Sequence, residues 1–149
     1  MAPKIAMPER RVLTVQGDGG FMYGAAGLAT AVKYKTPLVV LVYNDQAYGN
    51  VKRVQQERFG HNRTIASDLI NPDLVKFVVS FGAFAIRAEQ SLNGLKRALE
   101  AAFDAAGPAE VEIPVDKIYS SPWTHIFLPT VRGEPQMPML EMPDRPFWN

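Results

Sequence analysis

Short apolar runs, separated by breaks rich in glycine and polar residues, divide this chain into elements. The first run, Val12-Leu13-Thr14-Val15, predicts a strand over about residues 11–16, followed by a loop from Gly17 to Gly20. Residues 22–34 carry Leu28, Ala29, Ala31 and Val32 and are predicted helical. Gly20, Gly24 and Gly27 lower the helix propensity of that segment and would let a ligand or neighbour approach the backbone closely. The second run, Pro37-Leu38-Val39-Val40-Leu41-Val42-Tyr43, is apolar without alternation. Such a run marks a strand, here about 38–43, covered on both faces as in a parallel sheet.

Downstream, residues 47–58 are predicted helical and 60–69 irregular. Asn71-Pro72-Asp73 has the chemistry of a helix start, with Asn71 as the capping residue and Pro72 at the first helical position. That helix runs to about Ser80 on an apolar face of Leu74, Val75, Phe77 and Val78, and Gly82 stops it. A short strand is predicted over 83–86. Ser91 caps a further helix to about Ala106, with Leu92, Leu95, Leu99 and Phe103 on one face. Gly107-Pro108 ends it, and 109–115 form the last strand. The order β-α-β-α-α-β-α-β predicts an α/β fold of three layers: a parallel sheet with right-handed crossovers and helices on both faces. Residues 1–10 read as a leader, 11–119 as the domain, and 120–149 as an irregular tail containing Pro135, Pro138, Pro143 and Pro146.

Composition narrows the classes of function. A chain of 149 residues is one domain by length, and 47% hydrophobic with 21% charged residues is ordinary for a soluble globular protein. Sixteen Lys and Arg against 15 Asp and Glu leave a net charge of +1, which gives no electrostatic case for nucleic acid or an anionic membrane. The absence of cysteine excludes disulfides and thiolate metal sites. The first ten residues lack the long apolar stretch of a secretion signal, and no run approaches a membrane span, so a cytoplasmic location is expected.

The candidate chemistry lies at two predicted strand ends. Asp18 follows the first strand within Gly17-Asp18-Gly19, and Asn44 closes the second, with 24 residues between Gly19 and Asn44. Either feature alone reads as a turn. Together they bring a carboxylate and an amide to the same edge of a parallel sheet, where ligands of such folds bind. Those oxygens suit Mg²⁺, which is usually held by one or two carboxylates together with phosphate oxygens and water. Gly17, Gly19 and Gly20 allow a tight turn whose N–H groups face anionic oxygens, and the helix beginning near Ala47 presents its positive end to the same region. His61 and His125 have no second histidine at metal-ligand spacing and read as loop residues, while Trp123 and Trp148 read as anchors of the tail.

The stretch GDGGFMYGAAGLATAVKYKTPLVVLVYNDQAYGNV resembles the diphosphate-binding motif of thiamine diphosphate enzymes, Gly-Asp-Gly, some two dozen residues, then Asn. The resemblance continues through NPDLVKFVVSFGAFAIRA and GPAEVEIPVDKIYSSPW and covers about residues 11–124. It points to the C-terminal domain of the acetolactate synthase, benzoylformate decarboxylase and pyruvate oxidase group, and so to a thiamine diphosphate-binding fold incomplete at its N-terminal end. It implies thiamine diphosphate and Mg²⁺ as cofactors. The metal ligands would be the side chains of Asp18 and Asn44 and the backbone carbonyl of Gln46. Gly17, Gly19, Gly20 and the Ala47-Tyr48-Gly49 turn would hold the diphosphate, and Tyr48 would pack near the cofactor.

Two positions depart from the family pattern. Asp45 stands where Asn-Asn is frequent, and Gly27 stands where many synthases carry an acidic residue. No glutamate here matches the one that activates the cofactor's aminopyrimidine, so no catalytic residue is assigned. The expectation is a module of a 2-oxo acid carboligase or decarboxylase, acetolactate synthase-like and inactive alone. A pyrimidine-binding domain or subunit would be supplied elsewhere, and a homo-oligomer is expected. The alternative is a non-catalytic α/β binding or structural domain with a vestigial cofactor site.

Overall fold

The computed structural model describes residues 1–115. Within them, α1 (Ala2–Ala6) precedes β1 (Leu13–Gly17), α2 (Asp18–Gly24), α3 (Gly27–Lys33), β2 (Val39–Asn44) and α4 (Gly49–Phe59). Then follow α5 (Leu74–Ser80), β3 (Phe84–Arg87), α6 (Leu92–Asp104) and β4 (Ala109–Pro114). The readings of the tail, of Trp123, Trp148 and of His125 lie outside the described residues.

All strand pairings are parallel, in the order β1-β2-β4-β3. β2 is the pivot: Val39 pairs with Leu13 on one side and with Ala109 on the other. Its residues Val39 to Val42 are all buried, as a two-sided apolar run requires. Progress along the sheet runs outward from β1 to β3 and then reverses, because β4 inserts between β2 and β3. With right-handed crossovers throughout, that reversal sends α6 to the face opposite α2, α3 and α5.

Two cores result, one on each face. Val40 and Val42 pack with Phe21, Ala25 and Leu28 of the α2–α3 region and with Leu74 and Val78 of α5. On the opposite face, Val39, Leu41, Ala109 and Val111 pack with Ala98 and Ala102 of α6. β1 is an edge strand. Val12 packs into the first core, whereas Leu13 and Val15 point to the other face and are 43% and 58% exposed.

Several predicted boundaries move, each for a local reason. The segment from Gly17 to Gly20 is not a loop: Gly17 ends β1 in extended conformation and Asp18 begins α2 directly. Phe21, Ala25 and Leu28 are spaced four and three apart and all face the core, so the helical pattern starts upstream of residue 22. The predicted single helix is two, α2 and α3. Between them the N–H groups of Leu28 and Ala29 bond to the carbonyls of Ala25 and Ala26, a tighter three-residue spacing. A side chain at Gly20, Gly24 or Gly27 would meet no neighbouring atom, so none of these glycines serves a close approach within the chain.

The cap of α5 is Asp73 rather than Asn71. Asp73 Oδ1 accepts from the N–H of Lys76 at 3.2 Å, and Pro72 lies outside the helix. Ser91 does cap α6, accepting from the N–H of Gly94 at 2.9 Å. Residues 2–6 of the predicted leader form a short helix with no buried residue. No helix among the described residues is long and apolar enough to cross a membrane.

Candidate functional site

The parallel sheet brings the C-terminal ends of its four strands to one edge, and a polar residue stands at or near each. Asp18 follows β1, Asn44 ends β2, Arg87 ends β3, and Glu112 lies two residues before the end of β4. A single hydrogen-bonded chain links them. The amide of Asn71 donates through Nδ2 to Asp18 Oδ2 at 2.5 Å and to Asn44 Oδ1 at 3.0 Å. Asn44 Nδ2 in turn donates to Glu112 Oε1 at 2.8 Å. Arg87 closes the chain, donating through Nε to Glu112 Oε2 at 2.8 Å and through Nη2 to Asp73 Oδ1 at 3.4 Å. Asp18 and Glu112 are buried, 1% and 3% exposed, so the bonds to them are partly shielded from water, whereas the Arg87–Asp73 contact is exposed.

Asn71 is absent from the predicted site because Asn-Pro-Asp reads as a helix cap. In the fold, Asp73 takes the capping role and releases the Asn71 amide to the strand ends. Glu112 and Arg87 are likewise missing from it. The signal available is a pair of opposite charges in two neighbouring strands, Arg87 on the edge strand β3 and Glu112 on β4 inside the sheet.

The second predicted segment forms the other wall. Gln46 holds a left-handed backbone, φ +54°, and its N–H donates to Asn44 Oδ1 at 3.2 Å. Its carbonyl accepts from the N–H of Leu69 at 2.8 Å, which commits one of its two lone pairs to the 66–69 segment. Ala47 is buried and bridges Asp68, and the Tyr48 N–H bonds to the Ser67 carbonyl at 2.8 Å. The Tyr48 ring lies so close over Gly19 that a Cβ there would collide with it, which explains glycine at this position. Tyr48 also stacks on Tyr23 with ring centroids 6.2 Å apart, and its hydroxyl donates to that of Tyr23 at 3.2 Å. Gly17 and Gly20 are exposed and open. The structure thus brings together Asp18, Gly19, Asn44, Gln46, Ala47 and Tyr48, with Gly49 beside Asp45.

Asp45 folds back onto its own turn, accepting from the Ala47 N–H at 3.1 Å. Burial, and then the charge of nearby Asp18, push its carboxyl above the usual range. The hydrogen bond to Glu112 holds the Arg87 guanidinium more firmly protonated than usual. A cleft of about 630 Å³ opens over the ends of β2, β3 and β4, lined by Asn44, Asp45, Asn71, Arg87, Gln90 and Glu112 among others.

This geometry defines a class: a parallel α/β domain with an oxygen-rich polar site at the carboxyl ends of its strands. No group of three His, Cys, Asp or Glu able to hold a metal alone occurs among the described residues. The particular family follows from comparison with known proteins. Residues 1–113 match the model of the thiamine pyrophosphate enzyme, C-terminal TPP binding domain, and the chain belongs to that family. It is 41% identical over 112 residues to an acetolactate synthase of Bacillus subtilis, covering 75% of this chain and 19% of that protein. It is 34% identical over 109 residues to a catabolic acetolactate synthase of Raoultella terrigena, covering 73% and 19%. Among solved structures, a benzoylformate decarboxylase from Polynucleobacter necessarius matches with a TM-score of 0.68 at 28% identity, over 77% of this chain and 21% of that one. A thiamine diphosphate-dependent 4-hydroxybenzoylformate decarboxylase from Rhodococcus jostii matches with a TM-score of 0.70 at 26% identity, over 78% and 22%. The chain therefore spans about a fifth of the length of the curated relatives it matches.

Proposed function

We propose that this domain holds the diphosphate of thiamine diphosphate through a Mg²⁺ ion liganded by Asp18, Asn44 and the Gln46 carbonyl, as part of an acetolactate synthase-like carboligase or decarboxylase. One observation carries the reading. A single amide nitrogen, Asn71 Nδ2, bridges Asp18 Oδ2 and Asn44 Oδ1. Two acceptor oxygens, one from the first residue of α2 and one from the end of β2, thus converge on one point, where a donor now stands and where a cation would satisfy both.

The donor chemistry fits. The available atoms are oxygens, as a hard cation requires. Two protein side chains are too few to hold Mg²⁺ alone, which suits an ion that arrives with diphosphate oxygens. Charge argues the same way. Asp45, Asp73 and Glu112 line the cleft, Asp18 lies behind its Asn71, and Arg87, already paired to Asp73 and Glu112, is the cation in the lining. A bare diphosphate would be repelled from such a site, so binding is expected to require the metal. The N–H groups in the first turn of α2 have no partner within the helix, and with the Ala47–Gly49 turn they would cradle the phosphates. When bound, thiamine diphosphate supplies the carbanion that adds to a 2-oxo acid. The residues of this chain bind and orient it.

Titration calorimetry on the 149-residue chain tests the reading. Thiamine diphosphate is expected to bind with Mg²⁺ present and not in its absence, and Asp18→Ala and Asn44→Ala are expected to abolish the heat. Mg²⁺-independent binding, or variants that bind like the parent, would overturn it. No binding by a folded parent would favour the second reading, a vestigial site.

A pyrimidine-binding domain or subunit completes the catalytic site in this proposal, and the chain alone turns over neither pyruvate nor benzoylformate. Activity above background from the isolated chain with both cofactors would refute that. The exposed edge and apolar face of β1 support a homo-oligomer, and light scattering from a clean monomer would count against it.

A further inference from the structure

We propose that Glu112, held by Arg87, is a positioning residue that decides which end of the Asn44 amide faces Asp18; this rests on the cation reading above. The two ends of an asparagine amide are nearly the same shape and opposite in chemistry: an oxygen that accepts and a nitrogen that donates. Only the oxygen serves a cation. Rotating the amide by half a turn would aim an NH₂ group at the position where Asn71 Nδ2 now sits. Something must therefore select the orientation: the Gln46 N–H, 3.2 Å from Asn44 Oδ1, favours it at the oxygen end, and at the nitrogen end the structure supplies an acceptor-only group with the shorter bond.

An ionised carboxylate cannot donate. Glu112 Oε1 lies 2.8 Å from Asn44 Nδ2, so the nitrogen of Asn44 is drawn toward β4 and the oxygen is left facing Asn71 and Asp18. The bond is partly buried, with Glu112 3% exposed. Glu112 is itself fixed, because its second oxygen accepts from Arg87 Nε at 2.8 Å. Arg87 is braced in turn by Asp73 at the start of α5. The chain from Asp73 through Arg87 and Glu112 thus passes one instruction to Asn44: nitrogen inward, oxygen to the site.

The isosteric variant Glu112→Gln separates this hold from mere packing. Arg87 still presents N–H groups and would attract the carbonyl oxygen of the introduced amide. The NH₂ group of that amide would then face Asn44 Nδ2, donor against donor, and Asn44 would turn. Outer hydrogen-bond partners of metal ligands are typically worth about 10–100-fold in metal affinity. Glu112→Gln is expected to weaken Mn²⁺ binding, read by water-proton relaxation in the presence of thiamine diphosphate, by about that factor. Adding Arg87→Met frees the introduced carbonyl oxygen to accept from Asn44 and is expected to restore most of the loss.

A second readout needs no metal. The side-chain NH₂ of Asn44 in the metal-free parent is expected to exchange slowly with solvent by NMR. That protection should be lost in Glu112→Gln and regained in the double variant. Should Glu112→Gln fail to fold in a circular-dichroism melt, Glu112→Asp withdraws the carboxylate by one methylene and is expected to show the same losses. An unprotected Asn44 amide in the parent overturns the proposal, as does parental Mn²⁺ affinity in Glu112→Gln or a double variant no better than the single. A parent whose Asn44 amide is protected in a Glu112-dependent manner but which binds no Mn²⁺ would instead sink the cation reading and leave the hold of Glu112 on Asn44 standing.

Discussion

Glu110 shows how far the setting of one residue departs from its place in the sequence. Ala109, Val111 and Ile113 alternate with Glu110 and Glu112, a pattern that in isolation suggests a strand with one solvated face. Parallel topology places β4 inside the sheet, and both glutamates are buried. Glu112 is paired with Arg87 and Asn44, but neither carboxyl oxygen of Glu110 has a hydrogen-bond partner among the described residues. Burial, and secondarily the charge of Glu112, raise its pKa to about 8. The folded chain therefore keeps Glu110 protonated up to that pH, while the unfolded chain releases the proton above about 4.5. The sign follows: the contribution to stability is full below pH 4.5, falls as pH rises, and levels off above about 8. Each pH unit in that window costs about 1.4 kcal/mol. Glu110→Leu is expected to be more stable than the parent in urea unfolding, with an advantage that grows by on the order of 3 kcal/mol between about pH 5 and pH 8. An advantage independent of pH would show that Glu110 is not the titrating group.

At the scale of elements, legibility depends on how much of the signal is local. β2 is plain, because six residues of nearly uninterrupted apolar character admit little else than a strand covered on both sides. The cap of α6 is equally plain at Ser91. The start of α2 is hidden because three glycines suggest a loop, whereas burial of Phe21 against Val42 and its neighbours decides the matter. The role of Asn71 is hidden because two capping residues flank Pro72 and sequence alone cannot rank them; the polar edge of the sheet needs one and the helix takes the other.

Glycines make the same distinction measurable. On propensity alone, alanine favours a helix over glycine by about 0.5–1 kcal/mol. At Gly24 in α2 a Cβ meets no neighbour, so Gly24→Ala is expected to stabilise by about that amount. At Gly94 in α6 a Cβ would lie 2.6 Å from Glu89 Cβ and 2.7 Å from the Glu89 carbonyl oxygen. Gly94→Ala is expected to reverse the sign and destabilise by about 1–3 kcal/mol, the usual range for overpacking. Urea midpoints of the two variants against the parent decide this, and a stabilising Gly94→Ala would mean that the turn before α6 yields more easily than the geometry implies.

At the scale of the molecule, the site is not an attachment to the fold but the place where its strands end. Asp18, Asn44, Arg87 and Glu112 come from or adjoin all four strands, and Asn71 and Asp73 come from the approach to α5. A ligand that engages the Asp18–Asn44 pair therefore bears on the whole domain, and its binding energy should appear as global stability. By mass action, ligand at about 100 times its dissociation constant adds about 2.7 kcal/mol, which for a domain of this size raises the melting temperature by roughly 10 °C. Thiamine diphosphate with Mg²⁺ is expected to produce a shift of that order, and either component alone much less. Asp18→Asn separates function from folding. Its side-chain oxygen still accepts from Asn71, and removing the charge relieves Asp45, whose carboxyl Asp18 now pushes upward. The unliganded variant is therefore expected to melt at a higher temperature than the parent while the cofactor-induced shift disappears, the pattern of a buried charge kept for binding at a cost in stability. A variant that melts lower, or that keeps the shift, would mean that the Asp18 carboxylate serves the fold and not the cation.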